Sequence, residues 1–311
     1  MKIAITIVTV ILMLFLLILL YIYNTAFYNS KTKAKRQKPF HTPAYDKISE
    51  EIKEVYENLK RAEYEDVYIT SFDGLRLRAK YYHNHDNAPV AIMAHGYRSS
   101  SSHDSGGAYR MFTERGYNLL IPDQRTHGGS EGHTISFGVN ERYDIAAWIE
   151  CISQRFGSDT PIVLMGVSMG AATVTMCADL ELKGNVKGII ADCGYSSPRD
   201  IISRVMKKNM KLPPKVFYPL VRIAARIFGG FDPDSASPMI SVKNARLPIL
   251  FIHGEADSFV PCYMSEQLYE ACISKKMFLS VKEADHGISF IVGHKEYFET
   301  VDKFISEIGA K

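Results

Sequence analysis

A serine between two glycines follows an apolar run near the middle of the chain: Gly166-Val167-Ser168-Met169-Gly170 comes directly after residues 161–165. The apolar run predicts a strand buried on both faces, and residues 169–179 are typical of a helix rich in small side chains. Ser168 is then predicted to lie on the turn between them, with its hydroxyl exposed and the N-terminus of the next helix pointing at it. The spacing also occurs by chance in loops, so its meaning depends on partner residues elsewhere.

Partner candidates follow two later apolar runs. Asp257 comes shortly after Ile252, and His286 shortly after Val281. A serine hydroxyl is a poor nucleophile until a histidine accepts its proton, and a carboxylate holds that histidine in the correct tautomer and stabilises the imidazolium. The order Ser168, Asp257, His286 therefore predicts a nucleophile, an acid and a base.

Other carboxylates compete with Asp257 for the acid position. Glu255 lies very close to the strand end, Asp285 adjoins the candidate histidine, and Asp192 ends a different strand. Asp257 is favoured over these three alternatives.

Other histidines compete with His286 for the base position. His95, His127 and His253 all lie in loop motifs, where histidine usually makes structural hydrogen bonds. His286 is favoured because it follows the last predicted strand and comes after the acid.

The elements that must position these residues are short apolar runs alternating with segments of helical spacing. The predicted strands are residues 66–71, 75–82, 90–94, 118–121, 162–165, 186–191, 247–252 and 277–281. The predicted helices include residues 47–64, 143–156 and 263–273. The first two strands predict a hairpin, and the later alternation predicts a parallel sheet with helices on both faces. Ligands bind beyond the carboxyl ends of such strands, which is where the three candidates lie.

From about Asp66 onward, the chain resembles α/β-hydrolases of the serine aminopeptidase and monoacylglycerol-lipase-like branch. The matching pieces are His95-Gly96, residues 123–130, 166–170 and 251–257, and Asp285-His286. The resemblance implies an α/β-hydrolase fold with a mostly parallel sheet, and backbone N–H groups of Tyr97 and Met169 that hold an oxyanion. Thr126 stands where many relatives carry glycine, in a loop expected to be structural.

A helical cap is predicted between the strands that end near Ala191 and begin near Leu247, because the connection is too long for a plain loop. Residues 198–210 and 216–228 have helical spacing, so the insertion covers about 195–240. Two interpretations of its apolar face remain open. It either lines an acyl pocket, with its cations at lipid headgroups, or it packs on the domain with solvated cations.

The N-terminus carries an apolar segment, Ile3 to Tyr23, without a charged residue. It is long enough as a helix, about 31 Å, to cross a bilayer, so residues 1–30 are predicted to form a single-pass anchor. A cleaved signal peptide is less favoured, because the run is long and lacks a small-residue cleavage site. Residues 31–48 then predict a basic tether, either against anionic headgroups or solvated, and its cations favour a cytoplasmic catalytic domain.

Composition excludes some classes of partner. A net charge of +3 over 311 residues gives no reason to expect nucleic-acid binding. The five cysteines are scattered without a Cys-x-x-Cys pair, which is atypical of a zinc site or a disulfide framework. His83, His85 and Asp86 lie in a polar turn and are interpreted as solvated, so no metal or cofactor is predicted.

The favoured prediction is a membrane-anchored serine hydrolase that cleaves carboxylic esters, small or lipid-like, through an acyl-serine. An aminopeptidase or amidase, or a thioesterase, would use the same three residues. A non-catalytic binding module on the same fold is the alternative from another class. The sequence does not indicate an oligomeric state.

Overall fold

A computed structural model describes residues 1–30, 32–33 and 42–310. Within that range the strands form one eight-stranded sheet, ordered β1-β2-β4-β3-β5-β6-β7-β8. The strands are β1 Glu65–Thr70, β2 Arg76–Tyr82, β3 Val90–Ala94, β4 Asn118–Pro122, β5 Pro161–Val167, β6 Asn185–Asp192, β7 Ile249–Gly254 and β8 Lys276–Val281. β1 and β2 form the predicted antiparallel hairpin, β2 pairs antiparallel with β4, and the strands from β3 to β8 run parallel.

Helices cover both faces of the sheet. They are α1 Lys2–Ala26, α2 Pro43–Asp46, α3 Ser49–Arg61, α4 Ser101–Asp104, α5 Gly106–Thr113, α6 Glu141–Phe156, α7 Met169–Thr175, α8 Pro198–Lys208, α9 Pro214–Gly229, α10 Pro238–Val242, α11 Tyr263–Ala271, α12 Ser289–Val292 and α13 His294–Glu307. Ile162 and Leu164 of β5 join a core with α6 and α7, whereas Val163 and Met165 join a second core with α5 and α13. This alternation explains why β5 is apolar throughout. The predicted fold class is confirmed.

The helix after Ser168 is shorter than predicted. It ends at Thr175 rather than Asp179, and Ala178 N–H donates to Thr175 O in a tighter turn. Its last residues include adjacent β-branched side chains, which lose side-chain freedom in a helix and weaken it.

Part of the predicted tether is packed on the domain. Residues 42–48 include α2, and the Tyr45 hydroxyl donates to the backbone oxygen of His286 at 2.7 Å. Residues 31 and 34–41, with most of the basic run, lie outside the described residues.

The C-terminal end of α1 is also packed on the domain. Every side chain up to Ile18 is exposed, whereas Leu19, Tyr23 and Phe27 are buried in a cluster with α9. The cap helices α8 and α9 therefore bury their apolar face against the domain and α1. By length and composition α1 is a candidate membrane span.

Residues just beyond α1 reach the loop that contains Thr126. Thr126 adopts φ 73°, a left-handed conformation that favours glycine. The Asn29 side chain donates to Thr126 O at 3.1 Å. This contact ties the segment after α1 to the loop that follows β4.

Candidate active site

Ser168 lies on the sharp turn between β5 and α7, with φ 56° and ψ −117°. The turn requires close packing of backbone on both sides. A Cβ atom added at Gly170 would come 2.0 Å from Ala94 O, and one at Gly166 would come 2.3 Å from the backbone of Gly170. Ser168 N–H donates to Asp192 O at 2.9 Å, which fixes the turn against β6.

Ser168, His286 and Asp257 are joined by hydrogen bonds. His286 Nε2 lies 2.9 Å from Ser168 Oγ, and His286 Nδ1 lies 2.7 Å from Asp257 Oδ2. A carboxylate oxygen only accepts, so Nδ1 carries the proton and Nε2 is left to accept from the serine hydroxyl. These three side chains, far apart in sequence, are brought together at the carboxyl ends of β5, β7 and β8.

The environment of Asp257 favours its charged form. Burial alone would raise its pKa, but the imidazoles of His286 and His253 bring the pKa well below the ordinary value. Its Oδ1 also accepts the backbone N–H groups of Phe259 and Val260, each at 2.8 Å. Asp257 is therefore a fixed acceptor across the neutral pH range.

The two backbone N–H groups assigned to the oxyanion have no competing partner. Among the residues that the structure describes, neither Tyr97 N–H nor Met169 N–H makes a hydrogen bond. Met169 begins α7, so its N–H is one of the free donors at a helix N-terminus. The neighbouring Gly96 N–H donates to the partly buried carboxylate of Asp104 at 2.7 Å, which holds the loop in place.

A cavity of about 810 Å³ opens in front of Ser168. Its walls include Tyr45, Ile52 and Val55 from α2 and α3, and Met111 from α5. In the described part of the chain, no side chain of residues 195–240 lines it. The structure thus decides between the two interpretations of the cap: its apolar face packs on the domain, and the segment before β1 forms the wall instead.

Residues 85–233 match the family model described as serine aminopeptidase, S33. The match includes Ser168 and ends before Asp257 and His286. The chain is 26% identical to YqkD, an uncharacterised protein of Bacillus subtilis (strain 168), over 255 residues that cover 82% of this chain and 83% of that protein. It is 28% identical to the thiohydrolase aneE of Aspergillus aculeatus over 203 residues, which cover 62% of this chain and 60% of that protein.

Among solved structures, the esterase Pf2001 of Pyrococcus furiosus has a TM-score of 0.67 to this chain at 23% identity, covering 90% of this chain and 98% of that one. The chain has the α/β-hydrolase fold. The family match also classes it as a serine hydrolase, so the predicted enzyme class is confirmed.

The cavity also contains a buried carboxylate that the sequence did not assign to it. Asp192 lines it, and Asp192 Oδ2 accepts the hydroxyl of Tyr297 at 3.0 Å. Burial raises the pKa of Asp192 to about 6. No local pattern in the sequence links it with Tyr297, because α13 lies far from β6 along the chain.

The competing histidines of the hydrolase make structural contacts. His95 Nε2 accepts Gln124 N–H at 3.1 Å, and His253 Nε2 donates to Val260 O at 2.8 Å. Burial lowers the pKa of His127 to about 3, and its Nδ1 lies 2.9 Å from Arg125 O. None of these three rings has a hydrogen bond to Ser168 within the described residues.

One group of potential metal ligands occurs in the described ranges: Cys193, Asp257 and His286, whose ligand atoms lie within 4.8 Å of one another. The Cys193 thiol is fully buried, and burial raises its pKa well above the ordinary value. A protonated thiol is a poor metal ligand, and the other two side chains already bond to each other. His83 and Asp86 form an exposed pair at 3.3 Å, as their polar turn predicts.

Proposed function

We propose that this hydrolase is membrane-anchored and cleaves carboxylic esters through an acyl-enzyme on Ser168, with His286 as base and Asp257 as its orienting acid. The observation that carries the proposal is the unbroken hydrogen-bond chain from Asp257 to Ser168 Oγ at the wall of an accessible cavity. The Tyr97 and Met169 N–H groups complete the proposed site as oxyanion donors.

In the acylation step, Ser168 Oγ attacks the ester carbonyl carbon while His286 Nε2 takes the hydroxyl proton. The carbonyl oxygen becomes an oxyanion, which the two N–H groups stabilise, at about 3 kcal/mol for each well-placed donor. When the tetrahedral intermediate collapses, the C–O bond breaks and His286 gives its proton to the leaving alcohol. Asp257 stabilises the imidazolium throughout.

Deacylation repeats these steps with water. His286 Nε2 takes a proton from a water molecule, the resulting hydroxide attacks the acyl carbon, and the oxyanion forms again in the same place. Collapse releases the carboxylic acid, and the proton on His286 returns to Ser168 Oγ.

The cavity favours an apolar acyl group. Its volume of about 810 Å³ lies in the range typical of small-molecule sites, and aliphatic side chains of α3 and α5 line it. A medium or long acyl chain fits this lining better than a peptide does. Thioesters are a second candidate substrate class, because the similar protein aneE is named a thiohydrolase and the same three residues could cleave a thioester.

Membrane anchoring by α1 is the second part of the proposal. Its exposed, uncharged stretch supports a span, and the basic run after it favours a cytoplasmic catalytic domain. The five free cysteines agree with a reducing compartment. In sealed inverted vesicles the cytoplasmic side faces outward, so added protease should digest the catalytic domain. Full protection would show that the domain lies on the other side of the membrane.

A substrate panel tests the catalytic proposal. Purified full-length protein in detergent is assayed on p-nitrophenyl esters of graded chain length, acyl thioesters and aminoacyl p-nitroanilides. We expect the highest kcat/KM on a medium or long ester and no turnover by the Ser168→Ala variant. Preference for aminoacyl anilides would favour a peptidase, preference for thioesters a thioesterase, and no turnover of any substrate a binding module.

A further inference from the structure

The part of α1 that is free of the domain is short for a bilayer. Its exposed residues 2–18 span about 25 Å at the helical rise of about 1.5 Å per residue. The hydrocarbon core of a typical bilayer is about 30 Å thick. If α1 crosses the membrane, the core must also include the next turn, where Leu19 is already buried against the domain.

The surface beside that turn is the cap helix α9. Tyr23 of α1 lies 5.8 Å from Phe228, ring to ring, and Val221 and Ala225 are buried in the same cluster. The membrane boundary that follows from the length of α1 therefore reaches the level of α9.

The opposite face of α9 exposes an apolar stripe. Val216, Ile223 and Ile227 are 64%, 37% and 55% exposed, and their spacing puts them on one side of the helix. Exposed aliphatic side chains in a row on an otherwise well-packed domain are typical of a contact surface.

The cations of α9 lie to one side of this stripe. Lys215 is exposed, and Arg222 and Arg226 bind Asp232 at its flank. An amphipathic helix with an apolar stripe and a charged margin suits the plane of a membrane interface.

We propose that the stripe of Val216, Ile223 and Ile227 is a second membrane contact, immersed in the same leaflet as the C-terminal end of α1. The inference rests on the proposed membrane span of α1 and goes beyond it. It also orients the active site. Tyr97, beside the cavity, donates its hydroxyl to Ala26 O at 2.7 Å, so that wall is held at the bilayer surface.

Tryptophan quenching by brominated phospholipids tests the contact. Ile223→Trp and Ile227→Trp variants of the full-length protein are placed in nanodiscs with or without brominated acyl chains. Leu12→Trp reports on the span, and Ile273→Trp is the matched control. Ile273 is 70% exposed and directly precedes β8, at the amino ends of the parallel strands, whereas the active site lies at their carboxyl ends. The native Trp148 is only 1% exposed and gives a constant background.

We expect strong quenching at positions 12, 223 and 227 and none at 273. If position 12 is quenched but positions 223 and 227 match the control, the membrane contact of the stripe is overturned and the span of α1 is retained. Absence of quenching at 12 would overturn both. Turnover of a soluble short-chain ester, measured on the same samples, tests the catalytic proposal separately.

A charge variant adds a functional readout. Ile223→Glu combined with Ile227→Glu should lower turnover of a long-chain ester embedded in the nanodisc at least several-fold, and leave turnover of a soluble butyrate ester unchanged. Ile273→Glu should change neither. Equal effects of the double variant on both substrates would contradict the membrane contact.

Discussion

At the scale of single residues, the proposed chemistry depends on which carboxylate orients His286. Asp257 Oδ2 is 2.7 Å from His286 Nδ1, whereas Asp192 bonds to Tyr297 instead. Glu255 accepts from Ser280 at the surface. Asp285 Oδ1 accepts the backbone N–H groups of Ser258 and His286, each at 2.8 Å. Of the four candidates, only Asp257 bonds to the imidazole of His286, and substitution can separate them.

Replacing Asp257 by Asn should lower kcat by about 10⁴-fold, because an amide donor facing Nδ1 favours the tautomer that cannot accept the serine proton. The readout is kcat and KM on the best p-nitrophenyl ester. Glu255→Gln is the matched control and should retain the wild-type rate. A similar loss in Glu255→Gln, or none in Asp257→Asn, would show that the acid is assigned incorrectly.

The raised pKa of Asp192 predicts a pH-dependent cost in stability. The folded protein holds a proton up to about pH 6, whereas the unfolded chain releases it near pH 3.8. Stability from protonated Asp192 is therefore complete below the unfolded pKa and is lost as pH rises through about 6. We expect wild type to lose about 2 kcal/mol relative to Asp192→Asn between pH 4.5 and 7, measured by unfolding in detergent. If the unfolding free energies of the two proteins changed in parallel with pH, the raised pKa of Asp192 would be contradicted.

The sequence predicts Ser168, Asp257 and His286 because each follows a strand end of a parallel sheet, and parallel strands end at the same edge. It does not predict the role of Tyr45 or Tyr297. Tyr45 reaches His286 O from a segment more than two hundred residues away, and a contact of that kind leaves no local pattern.

At the scale of elements, the wall of the cavity is the segment before β1 rather than the cap. The helical spacing of residues 47–64 predicts a buried face on α3, but periodicity does not say which surface that face covers. The same limit explains the two open interpretations of the cap. The buried apolar face of the cap has a partner, and that partner is α1 and the domain.

Enlarging Val55 to Phe should shorten the preferred acyl chain, because Val55 lines the cavity from α3. kcat/KM should fall most for the longest esters and little for acetate or butyrate. Val216→Phe, on the exposed face of the cap, is the control and should leave the chain-length profile in detergent unchanged. A change of profile in the cap variant alone would place the acyl group under the cap.

The buried end of α1 should stabilise the whole domain. Phe27 is fully buried, 5.3 Å from the Phe231 ring and 5.8 Å from the Phe137 ring. Replacing it by Ala should cost about 3–5 kcal/mol, seen as a lower Tm in detergent. Ile7→Ala, in the exposed part of α1, should not change Tm. Equal Tm values for the two variants would mean that the end of α1 is not docked.

At the scale of the whole molecule, the C-terminal end of α1 and the α/β domain are one packed unit. The sequence alone predicts that a chain without residues 1–38 is soluble and active. The structure adds that such a deletion removes Leu19, Tyr23 and Phe27 from a buried cluster. Removal of residues 1–18 alone is therefore expected to give the more stable truncated protein.

Those parts of the architecture that depend on local sequence patterns can be predicted from the sequence. Alternating apolar runs and amphipathic segments predict the parallel sheet, and a long uncharged run predicts α1. The docking of α1 on α9 and the packing of residues 42–48 depend on the three-dimensional surface that those segments meet. For this reason the sequence did not predict what residues 42–48 pack against, or which surface the cap helices cover.

The central claim is that His286 and Asp257 make Ser168 the attacking group. Its most direct test is treatment of the full-length protein with a fluorophosphonate, followed by mass spectrometry of the proteolysed product. The account predicts one covalent adduct on the peptide that contains Ser168, greatly reduced in His286→Ala. An adduct on another residue, or an unmodified Ser168 in a folded protein, would contradict it.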